Sequence, residues 1–198
     1  MKKRINFYFY YKSKINKYFF RWIDWKKIKT IKQQLSNLDV KKDIILDLGS
    51  GSGQIASKLN KNIICIDINK KLLEECRKKN LKTLRHSLDE PLPFENNTIS
   101  AVLMIDTIEH IQSPNKLIKE IKRSLKPKGK LIIFTPPYDS IRWLLAEKLH
   151  HLLIKKESDH ITPFTEESLT FLLKNNFENF TIQRINFNLT LCAIVNPT

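Results

Sequence analysis

The amino-acid sequence predicts a doubly wound α/β domain on a mostly parallel, seven-stranded sheet, with helices on both faces and an antiparallel hairpin at its end. Three observations carry this expectation. From residue 44 onward, short apolar runs alternate with helix-length stretches, the signature of successive β-α-β units. Three of the chain's 4 glycines, Gly49, Gly51 and Gly53, crowd the end of the first apolar run. The last two runs are separated only by Asn186-Phe187-Asn188, a connection short enough for a hairpin.

Each element follows in order. Neither Gly nor Pro occurs before Gly49, so residues 1–40 can run as one or two helices. There Phe7, Tyr11, Ile15, Tyr18, Trp22 and Trp25 recur at helical spacing, with Lys12, Lys17, Arg21 and Lys26 between them. This stretch is expected to form a helical N-terminal cap on a main domain at 41–198. Ile44 to Leu48 reads as a buried strand, followed by the glycine turn and a helical stretch to about Asn60. Ile63 to Ile68 is a second strand, Lys70 to Asn80 a helix, and Thr83 to His86 a weak strand. Ile99 to Ile105 is a buried strand, and Pro114 to Leu125 a helix with proline in its first turn. Lys130 to Phe134 is the next strand. Helices near Ile141 to Leu153 and Glu166 to Asn175 precede closing strands at Phe180 to Ile185 and Leu189 to Val195. The segment near 136–164 interrupts the alternation and is expected to be a lid.

Composition narrows the function classes. The 3 cysteines, Cys65, Cys76 and Cys192, fit neither a disulfide framework nor a zinc spacing, which points to a reducing interior. No stretch reaches the ~20 apolar residues of a membrane-spanning helix, and the basic start lacks the apolar run and cleavage site of a signal peptide. A cytoplasmic location is expected. The net charge of +15 could serve nucleic acid, anionic lipid or an acidic substrate. Lys greatly outnumbers Arg, however, and Asn and Ile are abundant, which favours a composition bias over a dedicated polyanion site.

The turn Ile44-Ile45-Leu46-Asp47-Leu48-Gly49-Ser50-Gly51-Ser52-Gly53 carries the chemistry. Glycine admits positive φ and lets a ligand approach the backbone. Asp47 stands at the mouth of the strand, where it could hold a cationic amino group. Asp67 ends the second strand, where a carboxylate accepts from ribose hydroxyls and repels a 2′-phosphate. A nicotinamide-binding turn has the spacing Gly-x-Gly-x-x-Gly and cradles pyrophosphate. The spacing here is Gly-x-Gly-x-Gly with an acid before it, which suits a nucleoside carrying an amino acid.

From Ile44 to about Tyr138 the chain resembles the class I S-adenosylmethionine-dependent methyltransferases, especially the small-molecule enzymes typified by quinone biosynthesis. Leu46 to Gly53 is similar to the family's first motif. Leu92-Pro93-Phe94, Ile108-Glu109-His110-Ile111 and Leu125-Lys126-Pro127-Lys128-Gly129 are similar to later motifs in order and spacing. The resemblance implies a Rossmann-like methyltransferase fold with S-adenosyl-L-methionine as cofactor. Asp47, Gly49 and Gly51 would then face the methionine part, with Ser50 and Gly53 completing the turn, Asp67 the ribose and Ile68 the adenine. One departure is that Ser87 stands where the family usually places an Asp for the adenine amino group. Ser87 and the Leu88 backbone are expected to serve instead, and Asp89 to stand aside.

The fourth strand ends in Asp106-Thr107-Ile108-Glu109-His110, at the sheet edge where ligands sit. His110 and His160 are the candidate general bases for a hydroxyl nucleophile. Asp106, Glu109, His110 and His160 could instead converge on a divalent metal, as in relatives with a similar acid-x-x-Glu-His and a late His. A metal-free site is expected, because nothing in the long later loop fixes His160. Thr135-Pro136-Pro137-Tyr138 is read as a lid hinge. His150 and His151 are read as packing. The expected function is methyl transfer to a small-molecule acceptor, with oxygen preferred. The alternatives are an RNA methyltransferase and a non-catalytic basic binding module on a degenerate methyltransferase fold. Peripheral membrane contact through the N-terminus is the alternative to capping the pocket.

Overall fold

The computed structural model describes residues 14–39, 41–59, 62–154 and 160–196. Helix α1 spans Lys14–Gln34 and precedes β1, Ile45–Leu48. β2 (Ile63–Asp67), α2 (Lys70–Lys78) and β3 (Lys82–Arg85) follow, then β4 (Ile99–Ile105), α3 (Pro114–Ser124) and β5 (Leu125–Thr135). Helices α4 (Ile141–Ile154) and α5 (Glu166–Lys174) lead to β6 (Phe180–Ile185) and β7 (Thr190–Val195). The strands form one sheet in the order β3-β2-β1-β4-β5-β7-β6. Pairings from β3 to β5 are parallel, and β7 runs antiparallel to both β5 and β6. The positive φ of Asn186, Phe187 and Asn188 closes the β6–β7 hairpin.

Strand alternation divides the core between the two faces of the sheet. Leu46, Leu48, Ile66, Val102, Met104 and Ile133 point to one face, under Leu117, Ile118 and Ile121 of α3 and Leu169 and Leu173 of α5. Ile45, Cys65, Ala101, Leu103 and Phe134 point to the other, where α2 contributes Leu73 and Cys76 and α1 contributes Ile31. Ile31 and Leu35, just past the end of α1, are as buried as the sheet residues they touch. Asp24, Lys27, Ile31 and Leu35 are all buried, at the spacing of a single helical stripe. The part of α1 from Asp24 onward therefore packs into the main core. Among the described residues no helix is long and apolar enough to cross a membrane.

Two elements differ from expectation by more than two residues. The helical stretch to Asn60 is reduced to one 3-10 turn, Ala56–Lys58. The positive-φ glycines extend the turn through Gly53, leaving too few residues to nucleate an α-helix. β5 is longer than expected because Leu125 already pairs with Ile99, with a register irregularity before Ala101.

The strand order reverses between β1 and β4, since β1 leads outward to β2 on one side while β4 leads to β5 on the other. The carboxyl ends of those two strands mark the switch point, which is where an open α/β sheet holds its ligand.

If α1 is part of the core, Ile31→Ala should lower the unfolding free energy by about 2–5 kcal/mol. Lys32→Ala, on the exposed side of α1, should change it by about 0.5 kcal/mol or less. Denaturant unfolding compares the two, and an unchanged midpoint for Ile31→Ala would mean that α1 merely rests on the domain.

Candidate active site

The loop after β1 is built on its three glycines, with φ of 69° at Gly49, 54° at Gly51 and 68° at Gly53. Their roles separate when a Cβ is imagined on each. At Gly49 it would lie 2.4 Å from the Thr107 side chain, so this glycine lets the loops after β1 and β4 touch. At Gly53 it would meet Leu81 at 2.6 Å and the Cys76 sulfur at 2.9 Å, so this glycine seats the turn on α2. At Gly51 it would meet nothing within 4 Å. Gly51 is thus the residue that leaves open space where a ligand can approach the backbone.

The turn is tied to β2. Gly49 and Ser50 donate their N–H groups to the Ile66 carbonyl at 2.8 and 3.1 Å. Asp67 then accepts from Gly51 N–H at 3.0 Å through Oδ2 and from Asn69 N–H at 2.8 Å through Oδ1. The Lys79 ammonium donates to the Ser52 carbonyl. Asp67 is therefore a fastener of the turn as well as a candidate ribose partner. Ile68 beside it is exposed. Farther on, Ser87 Oγ accepts from Asp89 N–H at 3.3 Å. Ser87 and Leu88 are half-buried, while Asp89 is exposed.

Asp47 is buried with no cation beside it among the described residues. Its carboxyl is pushed up to about 8 by burial, with further pressure from Cys76 and Asp67. A cationic amino group placed here would relieve that desolvation. The residues therefore fit an amino-acid-bearing nucleoside: open space at Gly51, an acid at the end of β2 and a cation-deficient acid in β1.

Across the switch point, Glu109 is fully buried. Thr135 donates to its Oε2 at 3.0 Å, while Oε1 has no hydrogen-bond partner. Burial, together with the nearby Asp106 carboxylate, pushes Glu109 up to about 8. Its backbone carbonyl accepts the N–H groups of both Ile161 and Thr162 at 2.9 Å. Thr162 Oγ1 also donates to the Ile111 carbonyl at 2.9 Å. These bonds fix Ile161 and Thr162, for which the sequence offers no anchor, and set His160 beside His110 with ring centroids 4.9 Å apart. One ligand atom from each of Glu109, His110 and His160 lies within 4.8 Å of the others, a spacing that could hold a divalent ion. Asp106 is not in that group. It has a positive φ of 50°, and its carboxylate pairs with Lys27 of α1.

Three partners at this edge escaped the sequence reading. The Tyr138 hydroxyl donates to Glu147 Oε1 at 2.8 Å and contacts His160 Nδ1. Glu147 is the only acid of α4, and that isolation was its signal. Tyr138 was visible as the end of Thr135-Pro136-Pro137-Tyr138 at a strand's carboxyl edge, but it had been read only as a hinge. Lys27 is a lysine on the buried stripe of α1, held between the Asp106 carboxylate and the nearby Asp24.

Fold and site together define a Rossmann-like nucleoside-binding domain with an acid-imidazole cluster beside the nucleoside crevice. Comparison with known proteins sharpens that class. Residues 46–133 match the family described as "Methyltransferase domain". The ubiquinone/menaquinone biosynthesis C-methyltransferase UbiE of Wigglesworthia glossinidia brevipalpis is 37% identical over 102 residues, covering 45% of this chain and 41% of its own. UbiE of Rickettsia bellii is 36% identical over 117 residues, covering 50% of this chain and 46% of its own. The chain thus spans less than half the length of these curated relatives. A SAM-dependent methyltransferase of Thermotoga maritima superposes with a TM-score of 0.69 at 19% identity, covering 93% of this chain and 96% of that one. Residues 46–133 thus resemble a methyltransferase domain, and the chain has the fold of a solved SAM-dependent methyltransferase.

Burial of Asp47 has a consequence for stability. The folded state keeps its proton up to about pH 8, whereas the unfolded chain releases it near the ordinary aspartate value of 3.8. Between those values the folded state binds more protons, so Asp47 removes stability as pH rises. Asp47→Asn should therefore gain stability over wild type progressively from pH 5 to pH 8, by at most about 1.4 kcal/mol per pH unit. Denaturant melts across that range test this, and parallel pH profiles would contradict it.

Proposed function

We propose that this chain methylates a hydroxylated small molecule, using S-adenosylmethionine held at the glycine turn and His160 as the base. The observation that supports this reading is the chain Glu147–Tyr138–His160 beside His110 and Glu109, on the β4–β5 side of the switch point. The cofactor, when bound, supplies an electrophilic methyl group. The remaining work falls to the protein, which must orient the acceptor, exclude water and take its proton.

The proton logic follows from the number of donors. A carboxylate at Glu147 can only accept, and the Tyr138 hydroxyl has one proton to give. With that proton directed to Glu147, the Tyr138 oxygen is left to accept from His160 Nδ1–H. This tautomer puts the imidazole lone pair on Nε2, the nitrogen suited to take the acceptor's hydroxyl proton. Tyr138 and Glu147 act as positioning residues, the third-group arrangement by which a base is held in its working orientation.

Oxygen is the preferred methyl acceptor. A second reading has support in the names of the UbiE relatives, which are C-methyltransferases. A phenolate generated by the same base is nucleophilic at its ring carbon as well as its oxygen.

The test is a screen of phenolic and hydroxylated acceptors with methyl-labelled cofactor, with products resolved by mass spectrometry and NMR. Transfer to oxygen is expected. His160→Ala should lower kcat by about 10²–10⁴-fold, and Tyr138→Phe should shift the pH-rate profile rather than abolish turnover. Activity should survive exhaustive chelation. Loss on chelation with recovery on adding one divalent ion would transfer the role of Glu109, His110 and His160 to metal binding.

A further inference from the structure

Large apolar side chains stand exposed on one side of the molecule, contributed by three separate elements. Helix α4 begins with Ile141, 74% exposed, and continues with Leu144 at 44% and Leu145 at 63%. The β6–β7 turn presents Phe187, 66% exposed, and α1 presents Trp25 at 54%. Polar and ring contacts bring the start of α4, the β6–β7 turn and α1 at Lys26, next to Trp25, together. Ser140 Oγ donates to the Asn188 carbonyl at 2.7 Å, and the Arg142 guanidinium reaches the Phe187 carbonyl at 3.5 Å. Lys26 Nζ lies 5.6 Å from the centre of the Phe187 ring, and Lys29 Nζ lies 5.5 Å from that of Trp25.

The geometry of the β6–β7 turn bears on the same point. Its three residues are all held at positive φ, a conformation that strains a bulky side chain such as phenylalanine. The strained turn places Phe187 outward, where its apolar surface has nothing to gain from water.

Charge decides which partner fits. Among Trp25, the three turn residues and the stretch 141–145 there is no acid, while Lys26, Lys29 and Arg142 lie among them. The nearest acid of α4, Glu147, is turned inward to Tyr138. An apolar patch ringed by cations matches an anionic bilayer surface: the aliphatic and aromatic groups enter the headgroup boundary while the long basic side chains reach lipid phosphates. Nucleic acid would share the cations and the two aromatic rings, but the aliphatic Ile141, Leu144 and Leu145 offer a base no flat face to stack on, whereas an acyl boundary takes all five apolar groups. We infer that this face, formed by the start of α4, the β6–β7 turn and Trp25 of α1, docks the protein on anionic lipid membranes.

The test is flotation of the full chain with vesicles of pure phosphatidylcholine and of phosphatidylcholine containing about one-third phosphatidylglycerol, a fraction chosen to give a strongly negative surface. Wild type should bind the anionic vesicles at least about tenfold more tightly, and added salt should weaken binding. The variant Ile141→Ser/Leu145→Ser/Phe187→Ser should lose at least about tenfold of that binding. Its thermal midpoint should stay near wild type, since the substituted groups are exposed. Absence of vesicle binding, equal binding to neutral vesicles, or full binding by the triple variant would overturn the inference. So would a dimer in light scattering, or binding to a short RNA without binding to vesicles, if the triple substitution abolished it.

Discussion

The hydrogen bond from Gly51 N–H to the Asp67 carboxylate is the constraint on which the nucleoside crevice depends. It joins the turn after β1 to the end of β2, and the second oxygen of Asp67 fixes Asn69 at the entry to α2. With the turn held in that shape, Gly51 faces open space, Gly49 meets Thr107 and Gly53 meets α2. An L side chain at Gly49 or Gly53 would have to displace its neighbours and adopt a conformation it rarely tolerates. One carboxylate thus sets the geometry of three loops at the point where the strand order reverses.

Two buried acids give the site its electrostatic character. Asp47 and Glu109 are both held near 8 by burial, on either side of the switch point. Each is an unfavourable arrangement for the protein alone, and each is relieved by a positive charge or a donated proton. Lys27 meets part of this demand by pairing with Asp106, so α1 contributes to the edge of the site as well as to the core. Placement of such groups where ligands bind is a general feature of functional sites.

Much of this was legible in the sequence because it follows from local rules. The succession of strands and helices came from alternating apolar runs, and the nucleoside turn from glycine spacing with an acid on either strand. The division of labour among the glycines was not legible, since it depends on Thr107, Leu81 and Cys76, which are distant in sequence. Nor was the anchoring of His160, which rests on two backbone N–H groups meeting the Glu109 carbonyl. Backbone bonds of that kind leave no mark on residue identity. The grouping of Asp106 with Glu109, His110 and His160 by spacing failed to foresee that a lysine from the N-terminal helix would claim Asp106. Glu147 and Tyr138 were missed because their partnership spans a helix and a loop whose relative placement no periodicity encodes.

The central claim is that the open space at Gly51, shaped by Asp67, receives S-adenosylmethionine. Titration calorimetry of wild type, Gly51→Val and Asp67→Ala with S-adenosylmethionine, its demethylated product and NAD tests this most directly. Wild type should bind the first two and not NAD. Gly51→Val should lose some stability to its positive φ yet remain folded with binding abolished, and Asp67→Ala should lose about 1.5–3 kcal/mol of binding free energy. Tight NAD binding by wild type, or unchanged S-adenosylmethionine affinity in a folded Gly51→Val protein, would contradict it.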